Sequence, residues 1–415
     1  MITRVYACAD SGYAMGGITL LEPLTSVARI AAGTQGLQLK AQVGGGGRVA
    51  LTGSPFAVPE LEWYRVMGDG YGEQKLSETS TTLTLGPSDT GMLTGNQTAG
   101  SITITGITAP VTLTGKGQLA AAIADLTPGD LDWVHFTSGG SEAVEVALKL
   151  ARQIHVERGD AERSTFISRW TSYHGATLAP LSVGGAKGRR KKYEPLLLDV
   201  PHISPPYCYR CPATDHDGCG ERYAAELERA ILDAGAGRVA AFIAEPVIAS
   251  VGGAIAPPDD YFPLVREICD RYGVLLIVDE VVTGFGRTGT PFAIDRWGVV
   301  PDMIAMGKGI SGGYAPLGAV AVREPHRDAF RRSGSSFEHI FTFGGNPVSM
   351  AAGLAVLDIL DREGLLTRAA AMEPAFRAAL EPLRAWGFVG DIRVRGLMAG
   401  IELVRDRATK EDRKS

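Results

Sequence analysis

Two patterns of hydrophobic and polar residues divide the chain. In its first part, apolar and polar residues alternate over short stretches such as 82–85 and 101–105, and turn residues such as Gly95 and Asn96 stand between them. Strict alternation is typical of strands with one buried face. We therefore predict an atypical, β-rich segment over residues 1–116, for which the sequence indicates no role.

From residue 117 onward, wholly apolar runs alternate with amphipathic helices, as in a mainly parallel sheet covered by helices. Apolar runs predict strands at residues 133–136, 165–168, 239–244, 274–278, 303–306 and 317–322. Apolar residues at helical spacing predict a helix that opens near Ser141, and these are Val144, Ala147, Leu148, Ala151 and Ile154. The fold class is therefore α/β.

The pattern becomes helical from residue 347 to 386. A last strand is predicted at 397–403, before a charged end that we expect to fray. We accordingly predict a large domain over residues 117–345 and a partial, truncated C-terminal small domain over residues 346–415.

The composition is that of an ordered protein. Hydrophobic residues make up 45% and charged residues 21%, with 53 Gly and 23 Pro, which excludes global disorder and collagen. Lys and Arg number 41 against 46 Asp and Glu, so nucleic-acid binding through phosphate contacts is disfavoured. The sequence has no run of about 18 apolar residues, and residues 1–4 lack the charged and then apolar runs expected of a signal peptide. We expect a cytoplasmic protein that binds neither nucleic acid nor membrane.

Three of the five cysteines, Cys208, Cys211 and Cys219, stand close together, with His216 between the last two. They could supply zinc ligands, but no second CxxC pair supports that interpretation. We favour a surface loop near the entrance of the active site and predict no metal centre. The basic run at 187–192 lacks interleaved aromatic residues and indicates a solvated turn.

Lys308 stands between Gly307 and Gly309, directly after the apolar run 303–306. A partly desolvated lysine at the end of a strand can lose its proton near neutral pH and attack a carbonyl to form a Schiff base. A lone lysine between glycines is more often a solvated loop residue. The residues themselves leave both interpretations open.

The apolar run 274–278 ends in two carboxylates, Asp279 and Glu280. Ligands of parallel sheets bind at the carboxyl ends of strands, where a carboxylate could hold a metal, act as a base or keep a heterocyclic nitrogen protonated. A merely exposed strand end is the alternative. Residues 284–289 fit GxGxxG, but they do not join a strand directly to a helix, so dinucleotide binding is disfavoured.

A glycine turn at residues 137–141 leads from a predicted strand into the predicted helix. The N-terminus of a helix presents free backbone N–H groups and a positive dipole to an anion. Gly140 and Ser141 could therefore bind a phosphate. Ordinary N-capping by Ser141 would produce the same residues and remains an alternative.

Taken in order, these segments resemble the class III (omega) family of pyridoxal-phosphate-dependent aminotransferases. The likeness covers roughly residues 117–405, with the motifs SGGSEA (138–143), YHG (173–175), EP (245–246), DEV (279–281), GFGRTG (284–289), GKG (307–309), PLGA (316–319) and TFGGNP (342–347). It implies a fold type I transferase, whose large domain holds a mainly parallel seven-stranded sheet flanked by helices. It also implies pyridoxal 5′-phosphate as cofactor and amino-group transfer from an amine or omega-amino acid to a 2-oxo acid.

The resemblance further implies roles for single residues. Lys308 would bind the cofactor covalently and carry the proton of the reaction. Asp279 would pair with the pyridinium nitrogen of the cofactor. Gly140 and Ser141 would bind its phosphate.

The remaining implied roles concern the faces and ends of the cofactor pocket. Tyr173 would stack on one face of the ring and Val281 on the other, with His174 as a supporting residue. Glu245 would lie near the substrate end. Thr342 would reach the phosphate of the neighbouring subunit, which implies a homodimer with shared active sites.

Two departures limit the resemblance. Residues 1–116 do not match the N-terminal part of the family, and family members continue well beyond a strand like 397–403, often contributing an arginine that binds the substrate carboxylate. We therefore keep alternatives to transamination. One is a cofactor-binding remnant or partner-binding protein without transaminase activity, and the other is a related aminomutase or decarboxylase.

Overall fold

The computed structural model describes, by their backbone, the strands within residues 6–112, and then residues 115–212 and 218–412. The chain divides into two compact units. One comprises Met1–Leu119 with Gly334–Phe337, and the other comprises Ala120–Ser333 with Glu338–Ser415.

The first unit contains two sheets. Its strands are β1 (Tyr6–Ala7), β2 (Gly17–Leu20), β3 (Ala28–Gly33), β4 (Gly36–Val43), β5 (Val49–Thr52), β6 (Glu62–Val66), β7 (Glu73–Leu76), β8 (Gly91–Gln97), β9 (Ile102–Ile104) and β10 (Val111–Thr112). Six of them form a sheet in the order β1-β3-β4-β8-β6-β7, and four form a sheet in the order β10-β2-β5-β9.

The predicted strand at 101–105 corresponds to β9, whereas residues 82–85 lie outside the described residues. The turn predicted at Gly95 and Asn96 is wrong, because both residues lie inside β8. That strand pairs with β4 on one side and β6 on the other. Ladder pairing on both sides outweighs a local turn preference.

The helices that follow are α1 (Gly115–Ala124), α2 (Gly140–Glu157), α3 (Leu178–Val183), α4 (Lys187–Arg190), α5 (Cys219–Ala234), α6 (Tyr261–Tyr272), α7 (Glu324–Ser333), α8 (Pro347–Arg362) and α9 (Leu365–Leu380). The strands interspersed with them are β11 (Trp133–Thr137), β12 (Thr165–Arg169), β13 (His202–Ile203), β14 (Val239–Ala244), β15 (Leu275–Asp279), β16 (Met303–Met306), β17 (Gly318–Val322), β18 (Val389–Arg395), β19 (Met398–Asp406) and β20 (Glu411–Asp412).

A seven-stranded sheet in the order β11-β17-β16-β15-β14-β12-β13 forms the centre of the second unit. Only β17 runs antiparallel to its neighbours, and the other pairings are parallel. Every residue of β14 to β17 is buried, which explains their uninterrupted apolar sequences. The predicted mainly parallel sheet and the helix near Ser141 are confirmed. The apolar face of that helix, α2, packs against β16 and β17.

The C-terminal part consists of α8, α9 and a three-stranded antiparallel sheet, β18-β19-β20. The expectation of a fraying end is wrong for residues 405–412, because β19 extends to Asp406 and pairs with β20. The side chain of Val404 is fully buried, and Nε of Arg407 donates to the carbonyl of Val389 at 2.9 Å. No helix within residues 115–212 and 218–412 is long and apolar enough to span a membrane.

A buried carboxylate, Asp302, joins the sheet to two helices, α6 and α7. Its Oδ2 accepts from Arg266 of α6 and from the backbone N of Leu276, both at 2.7 Å, and its Oδ1 lies 2.7 Å from Nε2 of His326 on α7. Burial alone would raise the pKa of Asp302, but the bond to His326 and the charge of Arg266 hold it below its ordinary value. The ionised carboxylate therefore belongs to the folded state.

We expect Asp302→Ala to lower the free energy of unfolding by about 3–5 kcal/mol, because Arg266 and His326 stay buried without their shared partner. Asp270→Ala is the matched control. Asp270 also pairs with Arg266 at 2.7 Å, but its side chain is 66% exposed, so we expect a loss below about 1 kcal/mol. Urea unfolding followed by helical circular dichroism measures both losses, and equal losses would contradict the prediction.

Candidate active site

Two strand ends bring Asp279 and Lys308 to the same edge of the large sheet. Asp279 is the last residue of β15, and Lys308 follows β16 after Gly307. The two strands are parallel neighbours, with Asp279 paired to Ala305, so their carboxyl ends meet at one edge. Asp279 is only 4% exposed, whereas Lys308 is exposed.

Two glycines allow α2 to approach these strand ends closely. A Cβ built on Gly140 would lie 2.7 Å from Cγ1 of Val281, and one built on Gly307 would lie 3.2 Å from the same atom and 3.3 Å from Cα of Gly140. A methyl group at position 140 would overlap Val281, and one at position 307 would be tighter than an ordinary contact. The N-terminus of α2, Val281 and the residue before Lys308 are therefore in mutual contact.

Lys308 holds an unusual backbone conformation, with φ of +42°. Residues other than glycine rarely occupy this left-handed region, at a cost of order 1–3 kcal/mol. Phe285 shares it, with φ of +58°, and its Cβ would lie 3.2 Å from a Cβ built on Gly309. Strain of this kind concentrates at functional sites, and here it adjoins the lysine.

Asp279 is held from two sides. Nδ1 of His174 donates to its Oδ2 at 2.7 Å, and the backbone N of Val281 donates to its Oδ1 at 3.0 Å. His174 is itself buried, and its Nε2 has no hydrogen-bond partner among the described residues. A buried nitrogen without a partner indicates a place for a polar ligand atom or water.

Ser141 does not cap α2, so the capping alternative is wrong. The N-cap is Gly139, the carboxylate of Glu142 accepts from the backbone N of Ser138 at 2.7 Å, and Oγ of Ser141 accepts from the backbone N of Ala176 at 3.1 Å. Ser141 thus binds the loop that follows His174. The N–H groups of the first turn of α2 point out of the helix N-terminus, where an anion can bind.

The carboxylate of Glu245 binds the backbone of Tyr173. Its Oε1 accepts from the backbone N of Tyr173 at 2.9 Å, and its Oε2 accepts from the backbone N of Ala249 at 3.0 Å. Burial raises the pKa of Glu245, and the charge of His174 opposes that rise. The implied place of Glu245 at the substrate end of the pocket stays a prediction.

Two cationic residues of this region were not predicted from the sequence. Arg169, the last residue of β12, is fully buried and donates to the backbone O of Glu245. The sequence could have indicated Arg169, because it is a charged residue at the end of a predicted strand, as Asp279 is. Arg189 of α4 places its guanidinium carbon 4.6 Å from the ring centroid of Tyr173. The sequence offered only an undifferentiated basic run there.

Thr342 makes no hydrogen bond to these groups within the described residues. It is exposed in the segment before α8, and none of the hydrogen bonds found within residues 115–212 and 218–412 joins it to Lys308 or Asp279. Its implied contact with a neighbouring subunit stays a prediction.

Other kinds of site find no support in residues 115–212 and 218–412. No group of three His, Cys, Asp or Glu side chains there could hold a metal ion, and His216 lies outside these residues. The GxGxxG segment at 284–289 packs against the side of α9 rather than opening a helix, since a Cβ on Gly289 would lie 2.9 Å from Cα of Ala370.

The neighbour of Asp279 has a different environment. Glu280 is fully buried, its Oε1 accepts from the backbone N of Ile294 at 2.9 Å, and the hydroxyl of Thr283 donates to its Oε2. Burial raises the pKa of Glu280 to about 7, although these hydrogen bonds oppose the rise. Glu280 therefore holds the loop after β15 in place, while Asp279 faces His174.

The assembled groups suit a ligand with three features. An anionic group fits the N-terminus of α2, a protonated nitrogen fits the carboxylate of Asp279, and a carbonyl group fits the amine of Lys308. The contacts above join Val281 to Gly140 and to Gly307, which precedes Lys308, and they join Asp279 to His174. Ser141 binds the loop that follows Tyr173 and His174. The functional roles of these residues stay predictions.

The sequence model of the family described as aminotransferase class III matches residues 96–414. The chain is similar to a probable aminotransferase of Mycobacterium tuberculosis, with 45% identity over 295 residues, 71% of this chain and 63% of the relative. It is also similar to the putrescine–pyruvate aminotransferase of Pseudomonas aeruginosa, with 38% identity over 296 residues, 71% of this chain and 64% of the relative.

The chain is also similar to solved structures of omega-transaminases. The (S)-enantioselective omega-transaminase from Thermomicrobium roseum matches with a TM-score of 0.68 and 42% identity, over 71% of this chain and 66% of that chain. The omega-transaminase from Pseudomonas jessenii in complex with PMP matches with a TM-score of 0.68 and 34% identity, over 72% of this chain and 67% of that chain. The chain spans slightly less than two thirds of the curated relatives. The prediction of a fold type I large domain is confirmed.

We expect the folded chain to lose stability as the pH rises from 5 to 8 because of Glu280. Its folded pKa is raised, so the stabilisation by the protonated form is complete below its ordinary pKa near 4.5 and is lost as the pH rises through about 7. Glu280→Gln keeps an uncharged side chain. The free energy of unfolding of the Glu280→Gln protein should therefore lack the decrease between pH 5 and pH 8, on the order of 3 kcal/mol, that we expect for the parent.

Urea unfolding of both proteins at pH 5 and pH 8 measures this difference. Glu267→Gln is the matched control, because Glu267 is 65% exposed in its pair with Arg271, and it should follow the parent at both pH values. A Glu280→Gln protein whose stability changes with pH as the parent's does would contradict the prediction.

Proposed function

Because the chain belongs to the class III aminotransferase family, we propose that it binds pyridoxal 5′-phosphate and transfers an amino group from an amine or omega-amino acid to a 2-oxo acid. The observation that carries the proposal is the meeting of Lys308, Asp279 and the N-terminus of α2 at one sheet edge. An amine, a carboxylate and an anion site are the three groups that this cofactor needs from a protein.

When bound, the cofactor supplies an electron-withdrawing ring that stabilises negative charge on the substrate carbon. Lys308 holds the cofactor and moves the proton at that carbon. Asp279 keeps the proton on the ring nitrogen, and the bond from His174 keeps the carboxylate of Asp279 oriented. The N–H groups of Gly140 and Ser141 bind the phosphate.

Two side chains position the ring between them in this proposal. Val281, fixed by its contacts with Gly140 and Gly307, covers one face, and Tyr173, held by Glu245, covers the other. Arg189 over Tyr173 adds a cation that favours the carboxylate of a 2-oxo acid. We assign residues 117–345 to the cofactor-binding domain and residues 346–415 to part of a small domain, and we place the activity in the cytoplasm.

We extend the proposal to a homodimer with shared active sites, in which Thr342 of one subunit contacts the phosphate bound by the other. The hydroxyl of Ser349 donates to the carbonyl of Pro316 at 2.7 Å and so joins the segment before β17 to the start of α8. Four apolar side chains are exposed on these two segments. These are Tyr314, Ile340, Phe343 and Val348. Exposed apolar patches mark surfaces that bind another protein.

We expect borohydride reduction of the protein with pyridoxal 5′-phosphate to label Lys308 and no other lysine, because Lys308 follows β16 beside the strand end of Asp279 and the residue before it contacts the N-terminus of α2. Peptide mapping by mass spectrometry identifies the labelled residue. Lys308→Ala should abolish the label, and Lys187→Ala, an exposed lysine on Trp170, should retain it. A label on another lysine would refute the assignment.

We expect Asp279→Asn to lower kcat by roughly a hundredfold or more, the loss typical of one electrostatic group at a reacting centre, while cofactor binding changes far less. The anion site at Gly140 and Ser141 is untouched. Glu280→Gln is the matched control, since it neutralises the adjacent buried carboxylate and should keep its activity. Steady-state kinetics and cofactor titration separate the two effects, and an unchanged kcat for Asp279→Asn would exclude its role.

We expect mixed Lys308→Ala and Thr342→Ala subunits to regain activity, because each heterodimer has one site with both lesions and one site with neither. Random pairing should restore about a quarter of the parent activity. Mixing Lys308→Ala with Asp279→Asn subunits is the control, since these residues act in the same subunit's site and no intact site forms. Equal recovery in both mixtures would contradict sharing through Thr342.

A further inference from the structure

Three cysteine thiols meet beside α5, and none of them belongs to the residues assigned above. Cys208 begins a short turn that ends before Cys211, and Cys219 is the first residue of α5. Sγ of Cys219 lies 3.2 Å from Sγ of Cys211 and also hydrogen-bonds the thiol of Cys208. Cys211 and Cys219 are 5% and 2% exposed, whereas Cys208 is partly exposed.

We propose that Cys211 and Cys219 form a redox-active dithiol, which closes to a disulfide on reaction with a small-molecule disulfide such as glutathione disulfide, with Cys208 as the first thiol to react. A disulfide needs a sulfur separation of about 2.05 Å, and the two sulfurs already lie 3.2 Å apart. Both are buried, so the product is protected from reduction by small thiols.

The exchange proceeds in three displacements. The thiolate of Cys208 attacks the reagent and releases one thiol, and the thiolate of Cys219 then displaces the second thiol from Cys208. The thiolate of Cys211 finally displaces Cys208 from Cys219. Two electrons pass from the sulfurs of Cys211 and Cys219 to the reagent, and their two protons end on the two released thiols.

Burial sets the rate of this exchange. It raises the pKa of Cys208 and raises the pKa of Cys219 to about 12, and only the thiolate reacts. The exchange is therefore slow at neutral pH and accelerates as the pH rises.

The disulfide would stabilise the contact of this turn with the C-terminal sheet. Next to Cys208, the hydroxyl of Tyr207 donates to Oε2 of Glu402 on β19 at 2.6 Å, and Nη2 of Arg210 binds Oε1 of Glu402 at 2.7 Å. The hydroxyl of Tyr223 on α5 donates to the carbonyl of Tyr207 at 3.3 Å. A bond between Cys211 and Cys219 adds a covalent link between this turn and α5.

The test treats the full chain with glutathione disulfide at pH 7 and pH 9, blocks remaining thiols and maps peptides without reduction. We expect a Cys211–Cys219 crosslink that forms faster at pH 9, together with a rise in Tm of roughly 5 °C. Cys208→Ser should slow formation of the same crosslink at least about tenfold. Cys269→Ser is the matched control, because Cys269 is also buried, on α6, and it should leave rate and product unchanged.

Two outcomes would overturn the proposal, and both are measured on the parent protein, so they do not require any variant to fold. One is that Cys211 and Cys219 of the parent protein remain unoxidised while glutathione stays on Cys208. The other is a final product that joins Cys208 to either partner. A Cys208→Ser protein that oxidises at the parent's rate would overturn the part assigned to Cys208.

Discussion

Val281 contacts Gly140 and Gly307, and this contact sets the spacing of α2, β15 and β16 at the edge of the large sheet. Cγ1 of Val281 would lie 2.7 Å from a Cβ at position 140 and 3.2 Å from one at position 307. Asp279 precedes Val281 by two residues, and Lys308 directly follows Gly307. The positions of the two charged groups therefore depend on the packing of one apolar side chain, which keeps its geometry without a polar partner.

Buried polar groups hold the loop that carries Tyr173 and His174. Burying a polar group without a partner costs several kcal/mol, and each of these residues is bound through at least one atom to backbone or to another side chain. Glu245 accepts from the backbone of Tyr173, and its own carbonyl accepts from Arg169. Because His174 binds Asp279, the loop is joined to β15 by a hydrogen bond rather than by hydrophobic contact alone.

The sequence predicted the parts of the site that local patterns determine. The apolar run before Asp279 and the glycines around Lys308 are local signals, and both residues lie where strand ends should lie. The binding of Ser141 to Ala176 and the stacking of Arg189 on Tyr173 depend on pairs of segments that only the folded chain brings together. The turn predicted at Gly95 and Asn96 failed for the same reason, because pairing with two other strands decided their conformation.

The adjacent carboxylates Asp279 and Glu280 show how one strand end can serve two purposes. Successive side chains of a strand point to opposite faces of the sheet, so the pair separates as it leaves β15. Asp279 points to His174, whose Nε2 has no partner among the described residues, and that side remains able to bind a ligand. Glu280 points to Thr283 and the backbone of Ile294, where both of its oxygens are bound. The first carboxylate is therefore available for chemistry because the second one holds the loop that encloses it.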